Sequence, residues 1–273
     1  MKTNANAAQP AALPPALPTA LRDAVEAVYA AFQSHCAPKQ TLDVCTACCM
    51  DGALEREMRR LPLRQVTTRH FYEYNSSAKS SEQPAEELLY LLPRMLELLA
   101  QGEALHHSTE LYLERLGRCE AGALSRPERA AVDAFALALF REGLGHSARQ
   151  ASPFNGSNAF DVLLMFHKGG VSIAPLLAHW LEDDRPSAVL HYADSSYWDF
   201  WGKQRIQNAF STDEPEFQKT MNDWLVDAGN RQRFSRKILA IDAEFPEDPK
   251  PCTCGTHLGP QQILEAVFDV ISE

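Results

Sequence analysis

Two stretches of this chain gather side chains that bind soft metals: Cys45-Thr46-Ala47-Cys48-Cys49-Met50 and, two hundred residues later, Cys252-Thr253-Cys254-Gly255-Thr256-His257. Zinc takes four sulfur or imidazole ligands in a tetrahedron, and a Cys-x2-Cys turn offers two thiolates from one tight bend. Cys45 and Cys48 have that spacing. With Cys252, Cys254 and His257 as donors from the other end, and Cys49 as a further one, the pattern predicts a structural zinc clasp joining the C-terminal loop to the start of the fold. A proline-rich loop of low apolar content needs such a tether. His35 and Cys36 are additional candidates. The competing reading treats Cys48 and Cys49 as small apolar residues beside a helix start, and a third makes Cys45, Cys48 and Cys49 a redox-responsive group. Cys-x2-Cys-Cys also resembles the opening of the cysteine-cluster proteins that chelate zinc or iron; the likeness spans six residues, and the later cysteines of those proteins have no counterpart here.

A second chemical grouping is Glu103, His106, His107 and Glu110. Glu-x-x-His on a helix is the ligand pair of carboxylate-bridged di-metal bundles, and it supports the alternative of a metal-dependent enzyme. Such a site needs a second Glu-x-x-His, and the chain has none. Without it, the same residues read as a polar helix start with acids near its positive end. Gly-x-Ser-x-Gly, the phosphate-binding Gly-x4-Gly-Lys-Ser/Thr, Gly-x-Gly-x-x-Gly and His-Glu-x-x-His are also missing. The reading therefore leans toward binding rather than catalysis.

The third grouping is aromatic and acidic. All four tryptophans, Trp180, Trp198, Trp201 and Trp224, fall within 180–224, and Tyr197-Trp198-Asp199-Phe200-Trp201 cannot place every ring on one helical face. Core packing accounts for most of them; some rings are expected to reach a groove or a partner. With Asp183 and Asp184 close by, Tyr197, Trp198 and Trp201 outline a protein-docking surface of the kind an inhibitor or immunity-type protein presents. Arg231, Arg233, Arg236 and Lys237 read as a solvated basic face paired with local acids. The net charge of −10 argues against nucleic acid as a partner.

The elements that must position these groups are helices. Apolar residues recur at helical spacing in Leu21, Val25, Val28 and Phe32, in Leu88, Leu91, Leu92, Met95 and Leu99, and in Val132, Phe135, Leu139 and Phe140. Asp51 is an expected N-cap, Ser125-Arg126-Pro127-Glu128 an expected capping box, and Pro93 an expected kink or break. Further helices are predicted over 103–116, 160–168, 173–182, 187–210, 214–227, 230–241 and 261–271. Leucine outnumbers valine plus isoleucine 32 to 17, and no run alternates as a strand would. The fold expected is all-α, either a multi-helix bundle or a short α-solenoid of HEAT type, since apolar segments recur at roughly 40 to 48 residues, a two-helix repeat length.

Residues 1–18 read as a disordered Ala/Pro-rich tail lacking a secretory pattern. Residues 19–273 read as one all-α domain whose two helical subdomains meet near 145–157. Seven cysteines, five of them clustered, fit a reducing cytoplasm better than a disulfide framework. No apolar run approaches the roughly 20 residues a membrane helix needs.

Overall fold

The computed structural model describes residues 17–146, 152–241 and 258–272, whose regular elements are all helical, with no strand among them. The Ala/Pro-rich tail up to residue 16, residues 147–151 of the junction expected near 145–157, and the whole Cys252–His257 cluster lie outside the described residues. Helices α1 (Thr19–Ala31), α2 (Gly52–Arg60), α3 (Thr68–Ser76), α4 (Ala85–Ala100), the short α5 (Glu114–Gly117) and α6 (Arg126–Leu144) make up the first half. The second comprises α7 (Ala159–Lys168), α8 (Ala174–Glu182), α9 (Pro186–Ser196), α10 (Pro215–Val226), α11 (Ala228–Leu239) and α12 (Pro260–Ser272).

The starts obey local chemistry. The Asp51 carboxylate accepts the backbone N–H groups of Ala53 (2.7 Å) and Leu54 (3.2 Å) and opens α2. Glu128 reaches back to the Ser125 N–H (2.7 Å), closing the capping box of α6. Asn158 caps α7 through Phe160 (2.8 Å) and Asp161 (3.0 Å). Each of these satisfies amide donors that the first helical turn leaves unpaired.

Packing is that of a bundle. Helix α1 buries Leu21, Val25 and Val28 against α4 and α6, and α6 in turn covers α8. Helix α12 returns to lie on α9 and α11. A HEAT-type stack would restrict each unit to its chain neighbours, whereas α1 seats on a helix five positions further along. The second half is centred on Trp180, which stacks on Trp224 (centroids 5.6 Å) and meets Phe140 and Tyr192 edge-on. Tyr192 lies flat on Phe234 at 3.6 Å. Trp180 therefore belongs to the core, where its large apolar area stabilises most, and Trp224 and Trp201 pack against that core partly buried.

Of the kink or break expected at Pro93 the break does not occur, and two further expectations about elements are corrected. Helix α4 runs through Pro93 without a break. Nearly every residue from Leu88 to Ala100 is buried, and this tertiary packing outweighs the one lost backbone hydrogen bond. The segment 103–116 is not one helix: Gly102 adopts φ +74°, Glu103 N–H bonds to the Leu98 carbonyl (3.0 Å) and Gly102 N–H to Leu99 (3.0 Å). This left-handed cap turns the chain away from the axis of α4, and only a single 3-10 turn (Thr109–Leu111) and α5 follow. The 187–210 segment is likewise interrupted. It ends as α9 at Ser196, continues as a π-turn over Tyr197–Trp201, and then loses regularity.

Candidate metal centre

Cys45, Cys48 and Cys49 come together. Their three Sγ atoms lie within 4.8 Å of one another, with Cys45–Cys48 at 3.4 Å and Cys48–Cys49 at 3.6 Å. A tetrahedral ion with Zn–S bonds of about 2.3 Å holds its sulfurs about 3.8 Å apart, within a few tenths of an ångström of the Cys45–Cys48 and Cys48–Cys49 separations. Among the described residues it is the one group of three or more potential ligands with such convergence. The turn is closed by the Cys45 carbonyl, which accepts both the Cys49 (3.3 Å) and Met50 (3.0 Å) N–H groups.

The loop carrying these thiols is tied down on every side. Met50 and Leu42 are buried at its two ends. Leu42 N–H donates to Glu55 of α2 (3.0 Å), Asp43 N–H to Glu87 of α4 (2.9 Å), and Cys45 N–H to the Ala78 carbonyl (3.0 Å). The Asp43 carboxylate accepts the Ser80 hydroxyl (2.8 Å), and its carbonyl accepts Arg115 Nη1 (3.1 Å). Arg115 is 1 % exposed. Its guanidinium donates in addition to Gln83 Oε1 (2.5 Å) and the Tyr74 carbonyl (2.6 Å), and it lies over the Tyr74 ring at 3.9 Å. Glu87 completes the network by accepting from the Tyr74 hydroxyl (2.7 Å) and Gln83 Nε2 (3.2 Å).

The thiols themselves are accessible, Cys48 exposed and its two neighbours half-exposed. Hydrogen bonding from the Cys48 thiol, and then from the Cys48 and Ala47 amides, lowers the Cys45 pKa to about 7. Cys48, facing Cys45 and Cys49, is pushed up to about 11. One sulfur of the group is thus poised as a thiolate near neutrality, the form that ligates metals. Cys119 differs: burial raises it to about 11, and its thiol rests on the Arg115 carbonyl at 3.6 Å.

The other sequence candidates are dispersed. His35 pairs with Glu128 (2.6 Å), and Cys36 is exposed outside the three-sulfur group. Glu103 accepts from the Thr68 hydroxyl (2.9 Å), His106 Nδ1 accepts the Ser108 N–H (3.2 Å), and the His106 and His107 rings lie 3.8 Å apart. Without the expected helix these residues have no common face. On the docking surface, Asp183 is buried and held by Arg185 Nε (2.9 Å). Burial alone would raise its pKa, but Arg185 outweighs this and keeps it below the usual carboxylate range. Asp184 pairs with Lys237 (3.0 Å) and Glu182 with Arg233 (2.6 Å), which gives these two cations of the α11 basic cluster the local acids expected for it. Trp198 is 52 % exposed, while Tyr197 and Trp201 are half-buried.

A cluster absent from the sequence reading surrounds Glu110. Asn208 donates through Nδ2 to both Glu110 and Asp161 (2.7 Å to Asp161), and Asn158 donates to Asp199 of the π-turn (2.6 Å). Burial, then the Glu110 charge, raises the Asp161 pKa to about 6; burial raises Asp199 as well. The only sequence cue was Asn158 and Asp161 at a helix start, and their partners Asp199 and Asn208 lie 41 and 47 positions away.

No protein-family model, curated protein or solved structure matches the chain.

Two outcomes follow from this geometry. Arg115→Ala leaves the Asp43, Tyr74 and Gln83 acceptors unpaired, and urea unfolding should show a loss of about 3–5 kcal/mol; a loss below about 1 kcal/mol contradicts the network. Asp161 binds a proton more tightly when folded than when unfolded, so the stability it contributes is full below the ordinary aspartate pKa and is lost as pH rises through about 6. Asp161→Asn should flatten that part of the stability–pH profile and leave the protein more stable than the parent at pH 7.

Proposed function

We propose that the protein is a helical binding protein whose Cys45–Cys49 loop holds one soft divalent metal ion, zinc being the ion whose bond lengths suit it. The observation that supports this most is the convergence of three sulfurs on a loop anchored at both ends. Ordering the thiols in advance removes part of the entropy a flexible loop would lose on binding. In this reading zinc is structural, fixing the loop to the bundle. The clasp read from the sequence assigns the remaining coordination position to Cys252, Cys254 or His257. The wider role is recognition of a protein partner, in the manner of an inhibitor or immunity protein. Trp198 favours it: a large, exposed ring on an irregular π-turn is the type of residue that anchors interfaces. Because Asp183 and Asp184 are engaged by Arg185 and Lys237, that surface is more aromatic than acidic. Among the described residues no helix is long and apolar enough to cross a membrane.

Reduced protein titrated with zinc against a competing chelator should bind one ion per chain. Cys45→Ser, Cys48→Ser and Cys49→Ser should each weaken it at least about tenfold; retention of full affinity in all three, or no zinc bound at all, rejects the site. Cys252→Ser, tested alongside, reads out the clasp. For the partner surface, Trp198→Ala should change stability by less than about 0.5 kcal/mol while abolishing capture of any specific partner from host extract, and undiminished capture would count against it.

A further inference from the structure

We infer that the thiol loop is a peroxide-sensitive switch: a hydroperoxide converts Cys45 and Cys48 to a disulfide, and oxidation and metal binding at this loop exclude one another. The disulfide itself stands on the geometry alone; its effect on metal rests on the reading of the preceding subsection.

The spacing singles out the pair. Cys45 and Cys48 sulfurs are 3.4 Å apart across a turn whose ends are drawn together by the two N–H groups bonded to the Cys45 carbonyl. Contraction to the S–S bond length of about 2.05 Å needs side-chain rotation and little backbone movement. Cys48 and Cys49 lie nearly as close, at 3.6 Å. Their disulfide, however, would close a small ring containing the intervening peptide bond, which resists distortion from planarity. Solvent reaches the Cys45–Cys48 pair, whereas Cys119 is half-buried with its thiol on the Arg115 carbonyl.

The chemistry balances with a hydroperoxide as oxidant. One sulfur of the pair, as thiolate, attacks one peroxide oxygen and the O–O bond breaks. That cysteine becomes a sulfenic acid, and the departing oxygen takes a proton as water or alcohol. The thiol of the other then attacks the sulfenic sulfur. The S–S bond forms, the S–OH bond breaks, and hydroxide leaves as water with the second thiol's proton. Two thiols have given up two electrons, and the peroxide has received them. Since a disulfide sulfur has no thiolate charge to offer a metal, the oxidised loop keeps only Cys49 as a ligand. The anchors that hold the loop, from Leu42 to Glu55 and from Asp43 to Arg115, lie outside the reacting turn, so the bundle survives the change.

The test treats the reduced full chain, metal-free and zinc-loaded, with hydrogen peroxide, followed by intact mass measurement and peptide mapping. Expected are loss of two hydrogen atoms from the metal-free chain, a Cys45–Cys48 cross-link, reversal by dithiothreitol, slower oxidation of the zinc-loaded chain, and no zinc bound after oxidation. Cys49→Ser should keep the cross-link. Cys48→Ser should lose it and accumulate a sulfenic acid trapped by dimedone. Addition of oxygen atoms without a cross-link, a cross-link mapped to any other pair, or an unchanged cross-link in Cys48→Ser overturns the switch. A reduced chain that binds no zinc yet forms the Cys45–Cys48 bond removes the metal reading and leaves the switch standing.

Discussion

A guanidinium with almost no contact with solvent is costly: moving such a charge out of water carries an effective penalty of several kcal/mol. Arg115 occupies that position, and the first half of the fold is arranged to offset it. Its donors meet Asp43, Gln83 and Tyr74, and its plane lies on an aromatic face. Only Nε lacks a protein partner. Since those acceptors belong to the thiol loop, to Gln83 two residues ahead of α4, and to α3, one side chain from α5 sets the mutual placement of four segments. Tyr74 and Glu87 join the same network, where burial holds both pKa values above their ordinary ranges.

From that constraint follows the division of chemistry in the molecule. The thiol loop has neutral and charged partners along its backbone while its sulfurs face water, an arrangement that leaves them free to ligate or react. The cluster at Glu110, Asp161 and Asp199 is the opposite case. Its carboxylates receive hydrogen bonds from the carboxamides of Asn158 and Asn208, which are neutral and offset little of the charge. For Asp161 and Asp199, whose pKa values burial raises, proton uptake is the cheaper response. Soft sulfur and hard oxygen donors are thus kept in separate groups, and among the described residues only the sulfurs converge as a group of three potential ligands.

What could be read from the chain without its structure was whatever depends on near neighbours. The helix starts at Asp51 and Ser125 and the apolar stripe of α1 were legible because their partners lie within a turn or two. Gly102 was legible as a stop, but its further effect was not, since left-handed closure redirects the chain and dissolves the apparent Glu103–Glu110 helical face. At Pro93 the buried stripe on both sides carries the helix through without a break, which the local residue pattern did not reveal. The π-turn at Tyr197–Trp201 explains why no helical face could hold all its rings. Within the candidate site, the Cys45–Cys48–Cys49 spacing was plain; the role of Arg115 was hidden, because its contacts with Asp43, Tyr74 and Gln83 span 32 to 72 residues.

The account rests on three sulfurs of one anchored loop acting together on a single ion. Zinc-edge X-ray absorption on the metal-loaded, reduced chain addresses this most directly. The account predicts a first shell dominated by sulfur at about 2.3 Å, with at least three such neighbours. A shell of nitrogen and oxygen at about 2.0–2.2 Å with one sulfur or none would contradict it.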